Sequence, residues 1–406
     1  MLRIRSYLSR REPLVIISFF TALYLLFGLL FLAFTVPYRA PDEGPHYTYA
    51  NTLYTEHRIP AIWESLEGHQ PPLYYLLLQP LFWMTPDGTK FSRVYLLRIA
   101  TLLMGAGLPA FVYLTSRRLF PLDRFVQIGA TAVASLTPQL LFINGIINND
   151  ALTNLAGAAS LFLIIRTVQK KQLSRCATIW NMVVIFVGVF SKLSLAPIAL
   201  FLFALTLWKG WRHWRWIGLA LFPTLAGIVL LALHNIHLYH DATAFSYMKK
   251  AWYADQHRDM FSLQRIIRWS RTLFESYWAR FGHANISLPP NYYTLCKTLA
   301  GMSAAGLVLF GIRDYKKLNA AVRWPLAATP LVALTLFAGT FVYSLTFFQP
   351  QGRYLFPAIG AYGILFILGM RTLIPTRLRT PALVLLVAFF ILLDIKSAIL
   401  IWKTVG

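Results

Sequence analysis

Apolar stretches about as long as a bilayer is thick recur along nearly the whole chain, and this limits its fold more than any other feature. A run of about 20 apolar residues crosses the hydrocarbon core as a helix, and in lipid only helices and closed barrels satisfy their own backbone polar groups. Such runs lie at 14–36, 94–115, 125–143, 151–165, 177–191, 193–208, 216–236, 294–312, 324–347, 354–370 and 381–401. They predict an all-α polytopic membrane protein with eleven spans and a single transmembrane domain over residues 1–406. Hydrophobic residues make up 57% of the chain and charged residues 13%, about half of what a soluble domain carries.

The net charge of +23 would suggest nucleic acid in a soluble protein. Here it follows the rule that cytoplasmic loops are rich in Lys and Arg, and no nucleic-acid partner is expected. Segments 1–13, 116–124, 166–175, 209–215, 313–323 and 371–380 hold 21 Lys and Arg against three acids, Glu12, Asp123 and Asp314. Segments 37–93, 144–150 and 237–293 hold 11 acids. This alternation predicts a cytoplasmic N-terminus, an external C-terminus and a place in the plasma (inner) membrane. The first run follows Arg3, Arg5, Arg10 and Arg11; it is too long for a leader-peptide core and reads as a retained span. The run PPLYYLLLQPLFWM at 71–84 is too short to cross. A crossing there would also invert every later basic loop, so it reads as an interfacial helix. Cys176 and Cys296 have no metal-ligand spacing.

One loop stands out chemically. Residues 38–75 contain Asp42, Glu43, Glu56, Glu64 and Glu67, a third of the chain's 15 acids, with His46, His57 and His69. Asp42, Glu43 and His46 lie at helical spacing, and Pro41 and Pro45 suit a helix start, where negative charge is favoured. A carboxylate at the outer membrane face can take a proton from a hydroxyl or bind a divalent metal. Asp42 and Glu43 are the candidates for either role. His46 suits a phosphate contact or the orienting of Asp42; His69 and Gln70 of GHQPP precede the interfacial helix and could line the same pocket.

Further along, Asp150 of NGIINND is the single charge of a short outer loop. It is either a helix cap or part of a polar cluster that reads sugar hydroxyls. Lys192 of FSKLS and Arg353 of QGRYLFP, with Tyr354 beside it, lie at outward ends of spans against the charge trend. Cations there either snorkel to headgroups or hold an anionic substrate, and the tight Pro/Gly turn around Arg353 favours a phosphate ligand. In the outer segment 237–293, residues 261–281 alternate apolar and Arg positions as an amphipathic helix on the membrane surface. The chain has no GxxxxGK[ST], HExxH or GxSxG, against nucleotide hydrolysis and against zinc or serine hydrolase chemistry.

The succession PDEGPH after span 1, GHQPPLYYLL, NND at a span start, SKLS, WARFGHANISLPPNYY and QGRYLFPAIG resembles the GT-C superfamily of integral-membrane glycosyltransferases. The likeness is to bacterial members similar to protein mannosyltransferases and aminoarabinose transferases, and it covers most of the chain. It implies a polyprenyl-phosphate-linked sugar donor and transfer on the outer face to a lipid, glycan or protein, usually with inversion. It also implies interfacial helices at about 45–56 and 72–84, Asp42 as general base assisted by Glu43, and Asp150 as the second-loop acid. The aminoarabinose transferases carry a lysine just before the proline that opens the second helix. Gln70 stands there, so donor phosphate falls to Arg353, Lys192 or another cation. The competing expectation is a transporter or flippase of a lipid-linked sugar; the near absence of mid-span charge other than Asp394, and of an inverted repeat, counts against it.

Overall fold

A computed structural model describes residues 2–85, 90–252 and 262–405. The first helix, α1 (Leu2–Phe34), leads into two short helices, α2 (Glu43–Thr55) and α3 (Leu73–Met84). A run of bundle helices follows: α4 (Lys90–Gly105), α5 (Leu108–Leu119), α6 (Arg124–Ser135), α7 (Pro138–Asn144), α8 (Asp150–Gln169), α9 (Arg175–Ser191), α10 (Ala196–Gly210) and α11 (Trp214–Tyr239). Next come the short α12 (Phe245–Ala251), α13 (Leu263–Trp278) and a two-stranded ribbon, β1 (Arg280–Phe281) with β2 (Ile286–Ser287). The chain closes with α14 (Pro290–Arg313), α15 (Ala320–Thr346), a 3₁₀ turn at Gly352–Ala358, α16 (Ile359–Leu373) and α17 (Arg379–Val405).

Among the described residues, eight helices are long and apolar enough to cross a membrane, or nine if α6 and α7, bent by 50° at their junction, are one span. The sequence runs predicted eleven. The difference lies in that bent pair, in α9 at 17 residues, and in runs 193–208 and 216–236, which fall within one helical stretch, Leu193–Tyr239. Helix α3 has 12 residues, about 18 Å at 1.5 Å per residue, well short of the hydrocarbon core. It packs beside α2 and α4.

The two ends of the bundle differ in charge. At one end, Arg124 pairs with Glu12 at 2.9 Å, Arg371 with Asp123, and Arg118 donates to Gln169 at 2.6 Å. Asp314 is flanked by Arg313 at 3.1 Å and Lys317 at 4.0 Å. All three acids of the basic segments are therefore ion-paired there. The acid-rich segments meet at the opposite end.

Helix α8 is the axis. It contacts α4, α5, α9, α10 and α15 and the 3₁₀ turn, and most of its residues are buried. Small residues from Ala156 to Ser160 make this possible, since backbones close up where side chains are short. At Gly157 an added Cβ would lie 2.0 Å from the Pro357 carbonyl oxygen, so only glycine lets α8 touch the turn that carries Arg353. Helix α13 supports the same turn from outside. Its Trp269 and Leu273 pack with Leu355 against Phe341 and Leu345, while Leu263 and Ile267 stay exposed. The amphipathic helix, expected on the membrane surface, thus buries one face on the protein; its expected first residue, Phe261, lies outside the described ones.

Cys176 is exposed next to the basic end and Cys296 is buried. With the basic end cytoplasmic, as the loop charges predict, a membrane-impermeant maleimide leaves intact cells unlabelled and modifies Cys176 once the cytoplasmic face is opened. Labelling of Cys176 in intact cells would invert the topology.

Candidate active site

The wall of the site is built where four segments meet. Asp42 is the N-cap of α2, with φ 60° and no side-chain capping bond. A carboxylate at this position normally accepts from the first turn's N–H groups. The left-handed backbone, which Asp and Asn adopt more readily than most residues, turns it instead to Arg353, with which it forms an ion pair. Arg353 is almost wholly buried, and its other branch, Nη1, lies 3.7 Å from Asp150 Oδ2. Asp150, the first residue of α8, is clasped on its second oxygen by Lys192 Nζ at 2.6 Å. The ammonium of Lys192 and the guanidinium of Arg353 both sit over the ring of Tyr354, at 5.6 and 5.5 Å. Tyr354 in turn donates to Gln349 Oε1 at 2.8 Å.

Arg353 is fixed by the turn before it. An added Cβ at Gly352 would come within 2.2 Å of the Tyr277 backbone, and the Gly352 N–H donates to Ser276 Oγ at 2.8 Å. The C-terminal turn of α13 is therefore the seat on which the cation rests.

Glu43 departs from expectation. Read as an assistant to Asp42, it is wholly buried and absent from the cavity lining. Arg98 of α4 binds it through Nε–Oε1 at 2.6 Å and Nη2–Oε2 at 2.7 Å, and the N–H groups of Tyr38 and Ile147 donate to the same oxygens at 2.7 and 3.2 Å. Arg98 also donates to the last carbonyls of α1, at Leu32 and Thr35. This pair clamps α1, α2 and α4 together and leaves Glu43 no oxygen for substrate. Arg98 carries no signal of its own in the sequence, because it lies inside a run read as a span.

His46 and His69 both stay neutral. Burial pushes the His46 imidazole down, against the pull of Glu67 and Asp42. Its Nδ1 meets the Tyr75 hydroxyl at 2.8 Å, and its Nε2 faces Glu67 Oε2 at 4.0 Å. Burial likewise lowers His69 to about 4. Its Nδ1–H donates to the Leu66 carbonyl at 2.9 Å and its Nε2 accepts from Gln70 at 3.0 Å. Gln70 Oε1 then accepts from Asn149, which also donates to the Ser191 carbonyl. This chain of hydrogen bonds ties the first acid-rich loop to the loop before α8 and to the backbone just before Lys192. At Asp42, burial works to raise the carboxyl, but the Arg353 guanidinium overrides it, helped by Lys192, and holds the group down at about 2.

These residues open into a cavity of about 920 Å³. Its charged side carries Asp42, His46, Glu67, His69, Gln70, Lys192 and Arg353, and its apolar side runs along α10 and α15 through Leu193, Pro197, Leu336 and Gly339. Asp150 stands behind this wall rather than on it. Glu67, not singled out in the sequence, is on the wall; its signal was membership of the acidic loop alone. Asp42 and Glu43 do not fit a divalent metal as a pair, because each is committed to a different arginine. Among the described residues no group of three or more His, Cys, Asp and Glu could hold a metal ion.

A family model described as "Predicted membrane protein (DUF2142)" matches residues 71–361. No curated protein sequence matches. Among solved structures, the oligosaccharyltransferase of Archaeoglobus fulgidus in its apo form aligns with TM-score 0.52 at 15% identity, covering 97% of this chain and 57% of that one. The same organism's oligosaccharyltransferase AglB, in complex with an inhibitory peptide and a dolichol-phosphate, aligns with TM-score 0.51 at 12% identity over 98% and 56%. ArnT from Cupriavidus metallidurans bound to undecaprenyl phosphate gives TM-score 0.46 at 15% identity over 87% and 60%. The chain spans just over half the length of these proteins. The fold here is that of the two oligosaccharyltransferase structures, a GT-C fold.

Two outcomes follow from this geometry. Arg98→Met strands a buried carboxylate and costs about 3–5 kcal/mol, read as a lower thermal midpoint in detergent; adding Glu43→Gln recovers part of the loss. The depressed His69 makes the second. Below its ordinary value near 6.5 the unfolded chain gains a proton that the folded one refuses until about 4, so stability falls as pH drops through that window. Thermal midpoints at pH 7.5 and 5 should show a smaller drop in His69→Gln than in the wild type.

Proposed function

The chain belongs to the DUF2142 family of predicted membrane proteins, and on that footing we propose that it is a membrane glycosyltransferase that moves a sugar from a polyprenyl-phosphate carrier to a hydroxyl acceptor. The observation that carries this reading is Arg353, held between Asp42 and Asp150 with Lys192 alongside, at the charged side of a cavity whose other side is apolar. A substrate with an anionic group joined to a long apolar tail matches both sides. A dolichol-phosphate in complex with a protein of the same fold is consistent with it.

In this reading the carrier's phosphate takes up Arg353 and Lys192. Asp42, relieved of its counterion, recovers the basicity that the ion pair suppresses. It accepts the acceptor's proton as the hydroxyl oxygen bonds to the anomeric carbon. The bond from that carbon to the phosphate oxygen breaks on the opposite face, with inversion, and the phosphate leaves with the electron pair. The two cations stabilise the charge gathering on it, and a phosphate leaving group needs no acid. His46, His69, Gln70 and Tyr354 shape the pocket, and Glu43 positions α2. No step runs through a metal. The site faces outward and the N-terminus inward across the inner membrane, following the loop charges.

A flippase for the same lipid is the second reading. Asp394 of α17 favours it, being wholly buried with neither oxygen hydrogen-bonded among the described residues, though it does not line the cavity.

Purified protein incubated with radiolabelled polyprenyl-phosphate sugars separates the two readings. Covalent transfer supports the enzyme; lipid movement across vesicles without transfer supports the flippase. Asp42→Asn keeps a residue that tolerates the left-handed backbone, so the variant should fold and lose about 10²–10⁴-fold in rate. Arg353→Met should lose retention of the carrier phosphate as well. Full activity in Asp42→Asn ends its assignment as base.

A further inference from the structure

Glu67 is the acid of the cavity that neither the fold nor the reaction above employs. Glu43 is bound by Arg98, Asp150 by Lys192, and Asp42 by Arg353. Glu67 lines the same cavity, yet no cationic side chain among the described residues pairs with it. His46 Nε2 faces it at 4.0 Å, and burial pushes that imidazole down, with its other nitrogen on Tyr75; the other titratable groups facing it, Tyr75 and Tyr343, carry no positive charge. The position of Glu67 is set rather than loose. Its N–H lies 3.4 Å from Ser65 Oγ, its carbonyl accepts from the Gln70 N–H at 2.8 Å, and Ser65 Oγ donates to the Pro45 carbonyl at 2.8 Å. The cavity thus has a cationic part, Arg353 and Lys192, and a separate uncompensated anionic point.

We propose that Glu67 selects the transferred sugar by charge, accepting hydrogen bonds from neutral hydroxyls or a protonated amine and excluding sugars that carry a carboxylate. This rests on the glycosyltransferase reading. With the two cations engaged by the carrier's phosphate, a sugar in the cavity meets Glu67 with no positive charge left to offset it. A hydroxyl or ammonium donates to the carboxylate, whereas a second carboxylate meets like charge, a juxtaposition that disfavours binding. The discrimination is built from repulsion as well as attraction.

The test uses the purified full-length protein and four probes: polyprenyl phosphate alone, and polyprenyl phosphate bearing glucose, glucosamine or glucuronate. Binding is read by competition against a fluorescent polyprenyl phosphate, and the quantity compared is the affinity ratio of glucuronate to glucose. In the wild type glucuronate should bind at least about tenfold more weakly than glucose, and glucosamine no more weakly than glucose. Glu67→Gln should collapse the glucuronate penalty, and Glu67→Asp should retain it; polyprenyl phosphate alone reports that each variant is folded. A wild type that binds glucuronate as well as glucose overturns the proposal, as does a penalty that survives unchanged in Glu67→Gln. Should polyprenyl phosphate itself fail to bind the wild type, the glycosyltransferase reading falls and the proposal with it; binding of the carrier without discrimination sinks the Glu67 assignment alone.

Discussion

A guanidinium sealed inside a membrane protein must be compensated, and Arg353 is compensated by acids from two different loops, Asp42 and Asp150. Removing either partner would leave charge stranded in a low-dielectric interior, which is far costlier than never burying it. The fold therefore has to bring the first loop, the tip of α8 and the 3₁₀ turn to one point. Lys192 joins because Asp150 has a second oxygen to satisfy. The arrangement that meets this electrostatic demand is also the one that offers paired cations to an anionic ligand at a cavity wall. Stability and chemistry here draw on the same charges.

Consecutive residues 42 and 43 show how finely the backbone divides roles. Both are acidic, and both lie at the start of α2. A left-handed turn at Asp42 points one side chain to the cavity, while Glu43, the first helical residue, is buried on Arg98. The first carboxylate is partly exposed and exchangeable; the second is a structural clamp fixed by four donors. Adjacent residues in such a motif therefore do not share a function.

Much of this was legible beforehand. Apolar run length and loop charge indicated a helical bundle with two chemically distinct ends, and 71–84 stood apart as a shorter apolar run. The helices expected at 45–56 and 72–84 are Glu43–Thr55 and Leu73–Met84. Arg353, Lys192 and Asp150 stood out because each is a charge where lipid-facing sequence disfavours one. What stayed hidden was pairing. Arg98 lies unremarked inside the run 94–115, and only the three-dimensional meeting with Glu43 gives it a purpose. Glu67 was hidden for the opposite reason: its distinction is the lack of a counterion, which no spacing rule encodes. Span number was blurred because a helix bent at Pro138 and a continuous stretch through Gly210 do not follow run boundaries.

The bare backbone contact between Gly157 and Pro357 sets how this end of the molecule can deform. With no side chain between them, α8 and the turn bearing Arg353 behave as one rigid block, and the separation of Asp150 from Arg353 is dictated by main-chain van der Waals radii. Asp42 rides on a different body, α2, anchored to α1 and α4. Of the two carboxylate contacts to Arg353, the one to Asp150 is thus set by main-chain packing, whereas the one to Asp42 is made by side chains reaching across from another segment.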